Sequence, residues 1–226
     1  MRLALGVLGG MGPAATLDFL AKLQLLTPAE TDQDHIRVLV DLNPEVPDLS
    51  ADAAAAAVTL AEMAEGLAGA GAEVLAIACN AAHVHAQAIQ AAAGLPLIDM
   101  IESAAAEAQA TGVQRVGVLG TRLALRLYHE HLAARGLSAV FLSPNRQGSF
   151  METLHQIKGG DTGRAVRKDM IGLAKDLVAE GAGTIIAGCT EVPLVITSED
   201  LPVPMIDGTE ALARRCVAIC KGWERL

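Results

Sequence analysis

Three short blocks occur twice, in the same order, in this chain of 226 residues. The blocks are GVLGG at 6–10 and GVLGT at 117–121, GAEVLAIAC at 71–79 and GAGTIIAGC at 181–189, and LPLID at 95–99 and VPMID at 203–207. The interval from the first glycine to the cysteine is 73 residues in one half (6 to 79) and 72 in the other (117 to 189). Three blocks repeated at matched intervals indicate a duplicated fold.

Within each half, short β-rich apolar runs alternate with longer amphipathic segments, which predicts an α/β fold. We expect two pseudosymmetric doubly wound domains with mainly parallel sheets. The predicted first domain is 1–98 plus a returning C-terminal helix at 208–226, and the predicted second domain is 99–207. Ligands of such sheets bind at the carboxyl ends of the strands, so we expect an active-site cleft between the two domains.

Composition excludes several classes of partner. Lysine and arginine number 17 against 26 aspartates and glutamates, and the positive residues form no stripe, so we expect no nucleic acid. Apolar runs stay shorter than the roughly 18 residues that a membrane span needs, so we expect no membrane partner. The glycine-rich start suggests a strand and a turn rather than a leader peptide, and we expect a cytoplasmic protein with reduced cysteines.

Cys79 and Cys189 each end a repeated block, just after a predicted strand. A cysteine there, at the start of a helix, lies in an environment that favours the thiolate. If the two thiols line one cleft, one can remove a proton from a carbon while the other returns one from the opposite face. This is racemisation by two bases, and it requires no metal and no other cofactor.

Polar groups beside the cysteines are candidates for supporting roles. His83 and Glu191 could orient a thiol or a substrate group, although His83 could equally be structural. Exposed backbone amides in GGMGP and GT, with the side chains of Asn80, Thr121 and Thr190, could stabilise a developing enolate. Cys216 and Cys220 are interpreted as core residues.

With these residues in view, the sequence resembles the aspartate/glutamate racemase superfamily, and its aspartate racemase branch most of all. GVLGGMGPAAT, TPAETDQDHI, NPEVPD, ACNAAH, GVLGT, GCTEVPL and LPVPMIDGTE fall in the family's order. The resemblance implies a cofactor-independent racemase of aspartate or a related amino acid, commonly a homodimer. It also implies that Cys79 serves the D-enantiomer and Cys189 the L-enantiomer.

The resemblance further implies substrate contacts. Met11, Asn80, Thr121 and Thr190 correspond to residues that contact the amino-acid moiety. Lys158 falls where aspartate racemases have a lysine near the cleft, and in this sequence it is expected on a loop.

Three positions depart from the family pattern. Ala81 replaces a threonine in CNTAH, Leu49 replaces an arginine that follows PD, and Ala124 replaces a threonine after GT. Each change removes polarity from the expected pocket, and loss of a charged partner for a carboxylate typically costs a few kcal/mol. The catalytic pair is therefore expected to be intact, with specificity moved toward a less acidic substrate.

Other functions stay open. A family member could use one thiol for decarboxylation or isomerisation, or could bind a ligand without catalysis. Gly10, Gly12 and Ala15 also satisfy the G-x-G-x-x-A pattern of dinucleotide-binding proteins, although Pro13 interrupts it and no acidic residue clearly ends the second strand at the expected distance.

Overall fold

The computed structural model describes residues 2–225. Contacts within the chain divide it into two units, Met1–Met100 with Thr209–Leu226, and Ile101–Gly208. Among the described residues, no helix combines the length and apolar character that a membrane span requires.

The first unit is built on a parallel sheet of four strands in the order β2-β1-β3-β4. Its strands are β1 (Leu5–Gly9), β2 (Val38–Leu42), β3 (Val74–Ile77) and β4 (Leu97–Ile98). Its helices are α1 (Pro13–Leu26), α2 (Ala53–Gly69) and α3 (Ala86–Ala93), and the chain returns to it with α8 (Gly208–Cys220).

Apolar side chains cover both faces of this sheet. One cluster joins Phe19 of α1 to Cys216 and Cys220 of α8, and another joins Leu60 of α2 to Ile89 of α3. Strand β1 is buried along its whole length, as expected for a parallel strand with helices on both sides. The prediction of a doubly wound α/β unit is confirmed.

The second unit repeats the topology, with a parallel sheet in the order β6-β5-β7-β8. Its strands are β5 (Arg115–Gly120), β6 (Ser138–Val140), β7 (Thr184–Gly188) and β8 (Met205–Asp207). Its helices are α4 (Met100–Ala110, whose first residue belongs to the first unit), α5 (Arg122–Ala134), α6 (Pro144–Lys158) and α7 (Arg164–Ala179). Two helices separate β6 from β7, where the first unit has only α2 between β2 and β3. Lys158 is the last residue of α6, so the expectation of a loop at this position is wrong.

A close approach of backbone and side chains explains one repeated glycine. A Cβ atom on Gly6 would lie 2.8 Å from the Cβ of Ala72, and one on Gly117 would lie 2.5 Å from Cδ1 of Ile185. The same position in each sheet therefore requires the absence of a side chain. The repeated blocks reflect the same packing in both units.

Candidate functional site

Cys79 lies two residues beyond β3, at the carboxyl edge of the first sheet, and is 6% exposed. The next segment, Ala81–His85, is a 3-10 helix, and α3 begins only at Ala86. The helix expected after this cysteine is therefore a short 3-10 helix that begins two residues later. Because a 3-10 turn this short carries little macrodipole, the helix-dipole argument contributes little to a thiolate here.

His83 connects the Cys79 backbone to the start of α4. Its Nδ1 lies 2.8 Å from the carbonyl oxygen of Cys79, and its Nε2 accepts a hydrogen bond from the Met100 amide at 3.1 Å. A carbonyl only accepts and an amide only donates, so these partners assign a neutral imidazole with the proton on Nδ1. The geometry favours a positioning role for His83.

Cys189 directly follows β7, at the carboxyl edge of the second sheet, and is 8% exposed. Its thiol donates a hydrogen bond to Oε2 of Glu191, with a sulfur–oxygen distance of 2.9 Å. The hydroxyl of Thr190 donates to the same oxygen at 3.3 Å. As at Cys79, the next helical segment is a 3-10 turn, Val192–Leu194, and it contains Pro193. The Cys189 sulfur thus lies in direct contact with a carboxylate.

Lys158 approaches the same carboxylate from the end of α6. Its Nζ lies 3.8 Å from Oε1 of Glu191, whose side chain is only 4% exposed. The ammonium group offsets part of the cost of burying this carboxylate. The structure therefore joins Lys158, Glu191 and Cys189 in one polar group within the second unit.

The loop after β1 has a conformation that only glycine can adopt. Gly10 has a φ of 99°, and a Cβ there would lie 2.2 Å from the backbone oxygen of Asn43. The hydroxyl of Thr16 accepts from the Gly10 amide and donates to the Gly12 carbonyl, both at 3.0 Å. Sequence reasoning missed Thr16 as the residue that closes this loop, although it stands in the quoted motif GVLGGMGPAAT.

Thr121 and Gln147 shape the corresponding edge of the second sheet. Thr121 is the N-cap of α5, and its hydroxyl faces the Ala124 amide at 3.5 Å. The buried Gln147 of α6 donates from Nε2 to the Gly120 carbonyl at 2.9 Å. Nothing in the sequence pattern pointed to Gln147, because its partner is a backbone atom 27 residues away.

The other predicted residues of the first unit lie at the same sheet edge as Cys79. Asn80 is buried beside it, while Met11, Leu49 and Ala81 are half-buried. These three pack against the apolar cluster that contains Cys79.

The first unit lacks two features of a dinucleotide-binding half. Asp41, the fourth residue of β2, lies 29 residues after Gly12 (12 to 41), whereas the acidic residue of the fingerprint follows at about 20 residues. In addition, β3 pairs with β1 on the side opposite β2, which differs from the 3-2-1 order of a mononucleotide-binding half. The topology therefore argues against the dinucleotide alternative. Within residues 2–225, no group of three or more His, Cys, Asp or Glu side chains is arranged to hold a metal ion.

Comparisons with known proteins agree with this architecture. A sequence model of the Asp/Glu/Hydantoin racemase family matches residues 8–216. The chain is 26% identical to the broad specificity amino-acid racemase RacX of Bacillus subtilis (strain 168), over 95% of this chain and 96% of the relative. The structure of Picrophilus torridus aspartate racemase superposes with a TM-score of 0.84 at 26% identity, covering 97% of this chain and 94% of the other. A glutamate racemase from Bacillus anthracis shares the fold, with a TM-score of 0.72 at 20% identity over 98% and 82% of the two chains.

Proposed function

Since the chain belongs to the Asp/Glu/Hydantoin racemase family, we propose that it racemises an amino acid without a cofactor, with Cys79 and Cys189 as the two acid–base groups. The observation that carries this proposal is the equivalence of the two thiols. Each follows the third strand in chain order of a four-stranded parallel sheet, and the two sheets have the same strand order. None of the four cysteines, all within the described residues, forms a disulfide.

The reaction needs one thiolate and one thiol. The thiolate takes the α-proton, the carbon's electron pair delocalises into the carboxyl group, and the opposite thiol gives its proton to the other face of the carbon. At the end the two sulfurs have exchanged protonation states, and the substrate has been inverted with no net change in composition.

The surroundings of the two sulfurs suggest which thiol keeps its proton. A carboxylate that accepts a hydrogen bond from the Cys189 thiol opposes ionisation of that sulfur, since two negative charges would then adjoin. His83 contacts the carbonyl of Cys79 and carries no negative charge. We therefore propose that Cys189 is the thiol and Cys79 the thiolate in the resting enzyme, the form that accepts the D-enantiomer.

Backbone amides are the groups best placed to stabilise the enolate. The loop after Gly10, whose own N–H is bound by Thr16, and the turns that begin at Asn80 and Thr190 are the candidates to supply N–H groups at the carboxyl edges of the sheets. Oriented amides in a site shielded from water stabilise developing negative charge strongly. Thr121 and Thr190 add hydroxyl groups.

The proposal is tested by chiral chromatography of single enantiomers incubated with the protein. The opposite enantiomer should form with the wild-type chain and should be undetectable with Cys79→Ser or Cys189→Ser. Cys216→Ala, which removes a thiol from α8, is the matched control and should retain racemisation. Loss of carbon dioxide from the substrate, detected by mass spectrometry, would favour the decarboxylase alternative instead.

A homodimer and a cytoplasmic location, both expected from the sequence, stay predictions.

A further inference from the structure

Resting on the racemase function proposed above, we infer that the substrate carries an uncharged, apolar side chain, and that Val46 and Leu49 contact it. Neither residue can pair with a second carboxylate. The inference depends on the loop after β2, on the apolar side chains near Cys79, and on the distribution of positive charge.

The loop after β2 is held in place by its own hydrogen bonds. The side chain of Asn43 accepts from the Glu45 amide at 2.9 Å, and that of Asp48 accepts from the amides of Ser50 at 2.8 Å and Ala51 at 2.7 Å. The backbone N–H of Asn43 donates to the Gly9 carbonyl at 3.3 Å, which connects the loop to the end of β1. Its side chains are therefore presented in a fixed arrangement.

Four half-buried apolar side chains lie at this carboxyl edge. Met11 follows β1, Val46 and Leu49 follow β2, and Ala81 follows Cys79 after β3. All four pack against the apolar cluster that includes Cys79. Because each remains partly accessible, together they offer an apolar surface to a ligand whose α-carbon lies near the Cys79 sulfur.

Positive charge is missing from this part of the sequence. No lysine or arginine occurs between Arg37 and Arg115, a stretch that contains β2, β3, Cys79 and all the loops at the carboxyl edge of the first sheet except the one after β1. Arg37 precedes β2 and so lies at the amino end of that strand. The charged residues of the loop after β2, Glu45 and Asp48, are acidic and would repel a carboxylate.

Lys158 does not supply the missing charge. Its ammonium group lies 3.8 Å from the buried carboxylate of Glu191, so much of its charge is already balanced. A substrate carboxylate buried against the apolar surface would lack an ionic partner, and such burial costs several kcal/mol. An apolar side chain of similar size would instead gain from its transfer out of water.

The test compares kcat/KM for racemisation of L-methionine, L-leucine, L-aspartate, L-glutamate and L-lysine. The wild-type protein should favour methionine or leucine over aspartate by at least about tenfold. Leu49→Arg should raise the ratio of kcat/KM for aspartate to kcat/KM for leucine by at least about tenfold, since an arginine can bind a carboxylate through two hydrogen bonds. Val58→Arg is the control, because it places the same charge on the exposed side of α2.

The outcomes distinguish failure of the proposed racemase function from failure of the inferred apolar substrate class. If no amino acid is racemised, the proposed function itself fails. If aspartate, glutamate or lysine is the best wild-type substrate, racemisation stands and the apolar class is refuted. If Leu49→Arg does not fold, Val46→Thr provides a test of similar volume, and it should slow racemisation of leucine several-fold and lower the ratio of kcat/KM for leucine to that for aspartate. An unchanged leucine rate would remove Val46 from the site.

Discussion

At the scale of single residues, the two cysteines have similar burial but different chemical neighbours. His83 binds the carbonyl oxygen of Cys79, whereas Glu191 accepts the proton of the Cys189 thiol itself. The sequence predicted both cysteines and both neighbours. It could not show which atom each neighbour contacts, because that depends on the 3-10 turns that follow the strands.

Replacement of Glu191 by glutamine should separate charge from hydrogen bonding. The amide oxygen can still accept from Cys189, but the negative charge that opposes its ionisation is gone. We expect kcat/KM to fall by about 10²-fold. The fall should be the same from the L- and from the D-enantiomer, because the two enantiomers have equal free energy. The descending limb of the pH–rate profile, where the second thiol ionises, should move to lower pH.

A control on the same polar group is Lys158→Met, which leaves the carboxylate in place without its ammonium partner. The descending limb of its pH–rate profile should move to higher pH, because the unbalanced carboxylate opposes ionisation of Cys189 more strongly. A Glu191→Gln profile whose limbs stay at the wild-type pH would show that this carboxylate does not govern Cys189.

At the scale of elements, the strands were predictable and the short connections were not. Strands β3 and β7 lie within the repeated blocks and β1 and β5 overlap them, and apolar runs beside glycines there indicate buried strands. A helix was expected after each cysteine, but its 3-10 type was not predictable, since five or three residues are too few to show a helical period. Lys158 was expected on a loop because the preceding residues of α6, among them Gly148, give a weak apolar pattern.

The loop after β1 should not tolerate any side chain at Gly10. Gly10→Ala combines a left-handed backbone conformation, which costs about 1–3 kcal/mol, with a clash against the Asn43 backbone. Urea unfolding should show a loss of at least about 2 kcal/mol. Gly66→Ala, in the last turn of α2 with open space for a Cβ, should raise stability by about 0.5–1 kcal/mol. Equal stabilities for the two variants would contradict the packing described for this loop.

The thiols of α8 should be inert in the folded protein. Burial raises the pKa of Cys216 well above its ordinary value and that of Cys220 to about 11, so both stay protonated near pH 8. Iodoacetamide labelling at pH 8, followed by peptide mass spectrometry, should modify Cys79 first and Cys189 more slowly. Cys216 and Cys220 should be labelled only in urea. Rapid labelling of either α8 thiol in the native protein would contradict its assignment to the core.

At the scale of the whole molecule, the duplication was the most informative sequence feature. It predicted two parallel sheets, and both have the same strand order. It could not predict the additional helix of the second unit, which lies between the repeated blocks where the two halves share no pattern. The repeats carry no information on the proposed substrate contacts Val46 and Leu49, because both residues lie in the loop after β2, outside the repeated blocks.

The predicted homodimer has a candidate surface on α1. Leu17 is 60% exposed and Leu25 is 83% exposed, and with Ala21 they lie four residues apart on one outward face. We expect light scattering to give twice the mass of one chain for the wild-type protein and the mass of one chain for the double variant Leu17→Glu, Leu25→Glu. Val58→Glu is the control and should remain dimeric. A monomeric wild-type protein would refute the homodimer, and a dimeric double variant would remove α1 from its interface.

The claim of two bases is tested most directly by racemisation in deuterium oxide, stopped after a few per cent conversion. If one thiolate removes the α-proton and a different thiol donates, the product should carry deuterium at its α-carbon while the recovered substrate keeps protium, in both directions. Mass spectrometry of the separated enantiomers measures this distribution. Product that retains the original protium, or substrate and product that gain deuterium at equal rates, would mean that a single base serves both faces and would contradict the account.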